Sequence, residues 1–69
     1  MASKSYKLTQ FSSVEFVGKD QFIVWNDVAG LPIYADPDAD FPQAKTFSWN
    51  EARIAAEEIG NHYKSISSR

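Results

Sequence analysis

The stretch Gln21-Phe22-Ile23-Val24-Trp25-Asn26 decides the fold, because it places four large apolar residues in a row. Neighbouring residues of a β-strand point to opposite faces of the sheet, so this strand is apolar on both faces. A chain of 69 residues forms one small domain and has little further chain with which to cover both faces. We therefore expect one apolar face to remain uncovered unless a partner buries it.

A turn-like break, Gly18-Lys19-Asp20-Gln21, precedes this strand and predicts a β-hairpin. We expect Val17 to pair with Phe22. That register places Val14, Phe16, Ile23 and Trp25 on the face that the helix covers, and Val17, Phe22 and Val24 on the uncovered face. A slip of one residue would exchange the two faces of the strand.

Further strands are predicted on both sides of this hairpin. Residues 6–17 are rich in β-branched and aromatic residues, and their alternation changes phase at Ser12-Ser13, which predicts a bulge, a bend or two short strands. Residues 31–35 predict another strand, and Pro32 places it at an edge because proline cannot donate to a neighbouring strand. Residues 1–5 are expected to be a frayed N-terminus, so the strands fall within residues 6–35.

The segment Ser48-Trp49-Asn50-Glu51 has the pattern of a capping box and predicts a helix that starts at Trp49. Small and apolar side chains then share one side of this helix: Trp49, Ala52, Ala55, Ala56 and Ile59. Gly60-Asn61 is a typical helix stop, so we expect a helix over residues 48–60. Residues 61–69 are left open between a continuation of the helix and a short final strand. The predicted fold is α+β, an antiparallel three- to four-stranded sheet with one C-terminal helix packed on one face.

Residues 36–47 form an acidic loop with two prolines between the strands and the helix. Long loops without secondary structure are uncommon in compact domains and are more often functional than average. Phe41 within the loop is either a plug for the core or an exposed anchor. The run Asp36-Pro37-Asp38-Ala39-Asp40 mimics the opening of a calcium-binding loop, but Phe41 and Phe47 stand where that loop needs glycine and glutamate. We therefore predict no metal site.

The composition excludes several classes of function. The chain has no cysteine, a single histidine (His62) and no glycine-rich phosphate loop, so we predict neither an enzyme nor a bound cofactor. A net charge of −2 without a basic stripe disfavours nucleic-acid binding. No signal peptide or membrane-spanning stretch is visible in the sequence, which predicts a cytoplasmic protein that does not insert into a membrane.

Two short pieces resemble a known class of protein. The strand Pro32-Ile33-Tyr34-Ala35, followed by a capped helix that contains Glu51-Ala52, resembles small bacteriophage-encoded host-inhibitor proteins, among them the bacteriophage T7 inhibitor of bacterial RNA polymerase. In size and organisation the chain is also similar to anti-CRISPR proteins. The loop between strand and helix is longer here, and the basic closing strand of the polymerase inhibitor has no counterpart beyond Lys64 and Arg69. The resemblance implies a host protein as partner and the host cytoplasm as location.

We therefore predict a non-enzymatic interaction protein that binds and blocks a host protein. The residues expected to contact this partner lie on the uncovered sheet face, in the acidic loop and on the exposed side of the helix: Val17, Phe22, Val24, Ile33, Asp36, Asp38, Asp40, Phe41 and Ile54. The first alternative is a homodimer, in which an identical copy buries the uncovered face. A weak nucleic-acid binder or an acidic nucleic-acid mimic is the less favoured alternative.

Overall fold

A computed structural model describes residues 4–67 and has the α+β architecture that the sequence predicts. An open antiparallel sheet has the strand order β1-β2-β3-β4, and one helix packs against it. The elements are β1 (Lys4–Thr9), β2 (Ser12–Gly18), β3 (Gln21–Asn26), β4 (Leu31–Pro32) and α1 (Trp49–Ser67). No helix within residues 4–67 combines the length and the apolar character that a membrane crossing requires.

The core lies between α1 and one face of the central strands. Val14 of β2 pairs with Val24 of β3, and both are fully buried together with Ala52 and Ala56 of α1. Partly buried apolar residues surround these four side chains: Leu8, Phe22, Ile33, Phe47, Ala55 and Ile59. The small alanine side chains let the helix lie close to the sheet, so the core is compact but thin.

The pairing of β2 with β3 differs by one residue from the predicted register. Gly18 pairs with Gln21 across a two-residue turn, in which Lys19 and Asp20 have φ values of 53° and 58°. Positive φ at both central residues is typical of a type I′ hairpin turn. Beyond the turn Phe16 pairs with Phe22, so Val17 is an extra residue on β2 and forms a β-bulge.

This bulge reverses the predicted faces of β3. Phe22 and Val24 lie on the helix side, and the prediction that they are left uncovered is wrong. Ile23 and Trp25 therefore lie on the opposite face, not on the helix face where we expected them. The predicted pairing of Val17 with Phe22 assumes that the strands pair without interruption from Gly18 and Gln21 onward. The extra residue at Val17 interrupts this pairing and shifts the register of β2 by one residue, so Phe16 pairs with Phe22 instead.

The other strands follow the prediction more closely. The phase change in residues 6–17 comes from two short strands, and the turn between them lies at Gln10-Phe11, two residues before the predicted break. The strand with Pro32 lies at an edge as predicted but ends at that residue. Because β1 begins at Lys4, the first strand includes part of the segment expected to be frayed. Residues 1–3 of that segment lie outside the described residues.

The helix begins at Trp49 as predicted and continues through Gly60 to Ser67, so the predicted stop is wrong. At its start the Ser48 hydroxyl donates to a Glu51 carboxylate oxygen at 2.9 Å and accepts from the Glu51 N–H at 3.4 Å. Gly60 is buried against β1, where an added Cβ atom would lie 2.6–2.7 Å from the Thr9 side chain. The glycine at this position therefore allows close packing of the helix on β1 and does not end the helix. Residues 68–69 of the predicted tail lie outside the described part of the chain.

Candidate functional site

The segment that carries the acidic loop is anchored at two points to the part of the β3 edge that β4 leaves unpaired. The N–H of Ile33 donates to the carbonyl of Val24 at 2.9 Å, where the chain leaves the sheet. Where the chain returns, Phe47 and Phe22 exchange two backbone hydrogen bonds of 2.9 and 2.8 Å. These bonds satisfy backbone groups of β3 that would otherwise be unpaired at this edge. The loop therefore leaves and re-enters the fold at defined positions.

Between these anchors the two arms of the loop pair with each other. The N–H of Lys45 donates to the carbonyl of Ile33 at 2.9 Å, and the N–H of Ala35 donates to the carbonyl of Gln43 at 3.0 Å. The arms thus form a short two-stranded stem that projects from the sheet edge. A stem of this kind limits the conformations of the residues that it carries.

The stem ends in an exposed acidic segment, residues 36–42, which we call the tip. Asp36 organises it, because its carbonyl accepts the Ala39 N–H and one of its carboxylate oxygens accepts the Asp38 N–H, each at 3.2 Å. Phe41 is 89% exposed, the most exposed large apolar side chain among residues 4–67. Of the two alternatives for this residue, the structure shows the exposed ring and not the core plug. The tip presents one aromatic ring among three aspartates.

The predicted partner-binding residues separate into three groups. Asp36, Asp38, Asp40 and Phe41 come together on the tip. The helix-facing members are Val24, which is fully buried, and Phe22 and Ile33, which are partly buried and pack against the core. Val17 is 42% exposed on the bulge of β2, and Ile54 is 49% exposed on α1. Only the tip therefore forms a contiguous candidate site from this set.

A second candidate surface was not predicted from the sequence. It is a groove of about 390 Å³ at the end of the sheet beyond the start of α1, and we call it the aromatic groove. Its lining residues are Lys4, Tyr6, Phe16, Phe22 and Trp49. Within this lining the Phe22 ring contacts two other rings, with centroid distances of 5.4 Å to Phe16 and 5.2 Å to Trp49.

The helix α1 reaches the aromatic groove with its first residue, Trp49, and the groove is open to solvent. Tyr6, Phe16 and Trp49 are 46%, 38% and 43% exposed. The bulge at Val17 brings Phe16 opposite Phe22, so the groove could have been predicted only by allowing for an extra residue before the turn. Partly exposed tyrosine and tryptophan side chains in a concave site are typical of binding surfaces.

The face of the sheet opposite the helix is less apolar than predicted. The Trp25 indole N–H donates to a Glu15 carboxylate oxygen at 2.9 Å. The Ser13 hydroxyl donates to Asp27 at 2.8 Å, and the Lys7 ammonium lies 3.8 Å from the second oxygen of this carboxylate. Polar contacts thus interrupt the apolar surface around Trp25, and the tip and the aromatic groove are better candidates.

Metal ligands are not gathered at any of these surfaces in the described structure. Within residues 4–67, no three histidine, aspartate or glutamate side chains lie close enough together to hold a metal ion. The tip aspartates are spread along an exposed turn, where their carboxylates act as separate surface charges.

Comparison with known proteins adds no relative: no family model, no curated protein and no solved structure matches this chain.

Proposed function

We propose that the protein is a non-enzymatic binding protein that docks its tip on a host protein and blocks it, in the manner of a small phage-encoded inhibitor in the host cytoplasm. One observation carries this proposal: Phe41 is 89% exposed on a segment held by a paired stem. A ring that adds nothing to the core of a small domain is a suitable anchor for a partner. The resemblance of the strand and helix segments to phage inhibitors supports a host protein as that partner.

The chemistry of the tip specifies the partner surface. The three aspartates favour a basic surface, because complementary charge steers association and opposes binding to acidic proteins. Phe41 requires an apolar pocket within that basic surface. Since the stem already orders the backbone, binding loses less conformational entropy than it would with an unstructured loop.

The tip is too small to form the complete interface. A stable interface buries about 800 Å² on each partner, so the surfaces beside the stem must contribute area around the Phe41 anchor. In this arrangement Phe41 provides affinity and the carboxylates provide orientation and association rate. The protein blocks its partner by occupying a site, and no chemical step is required.

A pull-down from bacterial lysate tests this proposal when the bait is compared with two point variants. Phe41→Ser removes the anchor, and Ile54→Ser removes a different exposed apolar side chain, on α1. We expect the wild type and Ile54→Ser to retain the same stoichiometric partner and Phe41→Ser to lose it. Circular dichroism of both variants checks that the fold is unchanged.

The salt dependence of capture tests the electrostatic part of the proposal. Replacement of Asp36, Asp38 and Asp40 by asparagine should weaken capture and make the remaining binding less sensitive to salt. Capture of the same partner by wild type and Phe41→Ser in equal amounts would show that the tip is not the binding surface.

A further inference from the structure

The tip and the aromatic groove have complementary chemistry and belong to the same chain. Among residues 4–67, the groove is lined by four aromatic rings and by Lys4, the one charged residue of this lining. The tip offers the reverse combination, an aromatic ring in the sequence Asp40-Phe41-Pro42 with further carboxylates nearby. Aromatic rings prefer edge-to-face or offset contacts with other rings, and a groove with rings on several sides provides both.

We propose that the tip of one copy binds in the aromatic groove of a second copy. The exposure of Phe41 means that this ring does not occupy the groove of its own chain. In the proposed contact the Phe41 ring packs among Tyr6, Phe16 and Trp49 of the second copy. Asp40 then lies near Lys4, so that the carboxylate and the ammonium group neutralise each other at the rim.

The distribution of charge favours this contact over a symmetric one. Residues 1–20 carry three lysines against two acidic residues, whereas residues 36–42 carry three aspartates and no lysine or arginine. A two-fold contact through β1 would bring the lysines of both copies together, and a contact between two tips would bring six carboxylates together. Like charges that face each other oppose association. A tip-to-groove contact instead pairs opposite charges.

The size of the groove limits both its occupant and the affinity. A volume of about 390 Å³ lies near the lower end of the range of about 300–1,000 Å³ for small-molecule pockets and suits one or two side chains. One loop in such a groove forms a small interface, for which we expect a dissociation constant of about 0.1–1 mM. The association should therefore be weak and depend on protein concentration.

A tip-to-groove contact is heterologous, because it joins two different surfaces of the chain. In a pair of copies, one tip and one groove remain free to bind further copies. Such contacts form rings or open chains instead of closed dimers. Self-association would also hide the surface assigned above to the host partner, and this consequence alone rests on the proposed function. The self-association itself requires no partner and is measured on the purified protein.

Sedimentation equilibrium of the purified chain, with complementary variants, tests the contact. Phe41→Ser keeps the groove and loses the ring of the tip, and Lys4→Glu/Tyr6→Ser keeps the tip and alters the groove. Wild type should exceed the monomer mass as its concentration approaches about 1 mM, and each variant alone should associate at least about ten-fold more weakly. A mixture of the two variants should form a one-to-one dimer that grows no further, because it contains one intact tip and one intact groove.

Two controls keep this test decisive. Ile54→Ser should associate as wild type does, and Lys4→Glu alone replaces the double variant if that variant fails to fold. A wild type that stays monomeric at about 1 mM would overturn the proposal. Association that persists in Phe41→Ser would also overturn it and would indicate symmetric pairing through the edge strand β1.

Discussion

At the scale of single residues, Gly60 and Thr9 set the distance between the helix and the sheet. A Cβ atom at Gly60 would lie 2.6 Å from Thr9 Oγ1 and 2.7 Å from Thr9 Cβ, and the Cβ atom cannot rotate away. Gly60→Ala gains about 1 kcal/mol of helix propensity but overpacks this contact at a cost of about 1–3 kcal/mol. We expect a net loss of stability of about 1 kcal/mol in urea unfolding.

The neighbouring residue provides a matched control for this prediction. Asn61 is exposed in the same helical turn, so Asn61→Ala changes helix propensity without changing the packing. We expect Asn61→Ala to raise stability by about 0.5 kcal/mol. If Gly60→Ala stabilises the protein as much as Asn61→Ala does, the helix can move away from β1 at no cost and the contact is not important.

A chain of hydroxyl groups joins the sheet to the helix beside this contact. Ser12 is fully buried, and its hydroxyl donates to the carbonyl of Ala56 at 2.6 Å. Since Ser12 has one hydroxyl hydrogen, the 2.6 Å bond to Thr9 must be donated by Thr9. Thr9 in turn accepts the Phe11 N–H at 3.1 Å. Each hydroxyl in the chain is therefore both donor and acceptor.

Ser12→Ala should break this chain and leave the Thr9 hydroxyl without its acceptor. We expect a loss of about 1–3 kcal/mol, the usual cost of a buried polar group that loses its partner. Ser13→Ala is the matched control, because Ser13 bonds to Asp27 at an exposed position on the opposite face. That variant should change the free energy of unfolding by less than about 0.5 kcal/mol. Equal costs in urea unfolding would show that the buried chain adds no stability.

At the scale of elements, the bulge in β2 decides which residues of β3 form the core. Val24 is fully buried under α1, whereas Ile23 lies on the opposite face. We expect Val24→Ser to cost about 2–4 kcal/mol, because it removes apolar contacts and buries a hydroxyl. A domain of this size rarely has more than about 3–5 kcal/mol of stability. Val24→Ser should therefore be largely unfolded by circular dichroism.

Ile23→Ser changes the adjacent residue of the same strand and is the control for Val24→Ser. It should remain folded and lose less than about 2 kcal/mol, because Ile23 is only half-buried and no helix covers it. The reverse result, with Ile23→Ser unfolded and Val24→Ser folded, would mean that β2 and β3 pair without the bulge at Val17.

The elements that sequence alone predicts here are those whose signals are local. Ser48 and Glu51 mark the helix start within four residues, and Pro32 places its strand at an edge without reference to other contacts. The register was not predictable in this way, because Lys19 and Asp20 are not the asparagine and glycine typical of a type I′ turn. Gly60 has the local sequence pattern of a helix stop. Its actual role, close packing against Thr9, depends on a contact between residues far apart in the sequence.

At the scale of the whole molecule, the candidate binding surfaces differ in how far sequence could predict them. The tip was predicted, because its charges and prolines lie in one continuous segment of residues 36–42. The aromatic groove is lined by residues of three strands and of the first turn of α1. These residues lie together only because the bulge in β2 places Phe16 opposite Phe22. When a surface is formed by several strands, an error in the predicted register of any one of them changes which residues are predicted to line it.

Because the tip lies apart from the core, we predict that it can be removed without loss of the fold. Replacement of residues 36–42 by Asn-Gly should connect Ala35 to Gln43, which already share a backbone hydrogen bond, through a tight hairpin turn. All the removed residues are exposed, and the shorter loop loses less entropy on closure, so stability should stay the same or rise by about 1 kcal/mol.

Urea unfolding measures the stability of this shortened chain, and pull-down and sedimentation measure its binding. We expect an intact fold that captures no host protein and does not self-associate, because the Phe41 ring and the three tip carboxylates are removed together. A loss of more than about 2 kcal/mol would show that the tip supports the fold, since exposed segments rarely contribute that much. Unchanged partner capture by a folded shortened chain would move the binding surface to the aromatic groove or to the face that carries Trp25. The expected outcome, an intact fold without binding, would show that the two are separable, and the reason we expect it is that the stem is closed by its own backbone hydrogen bonds.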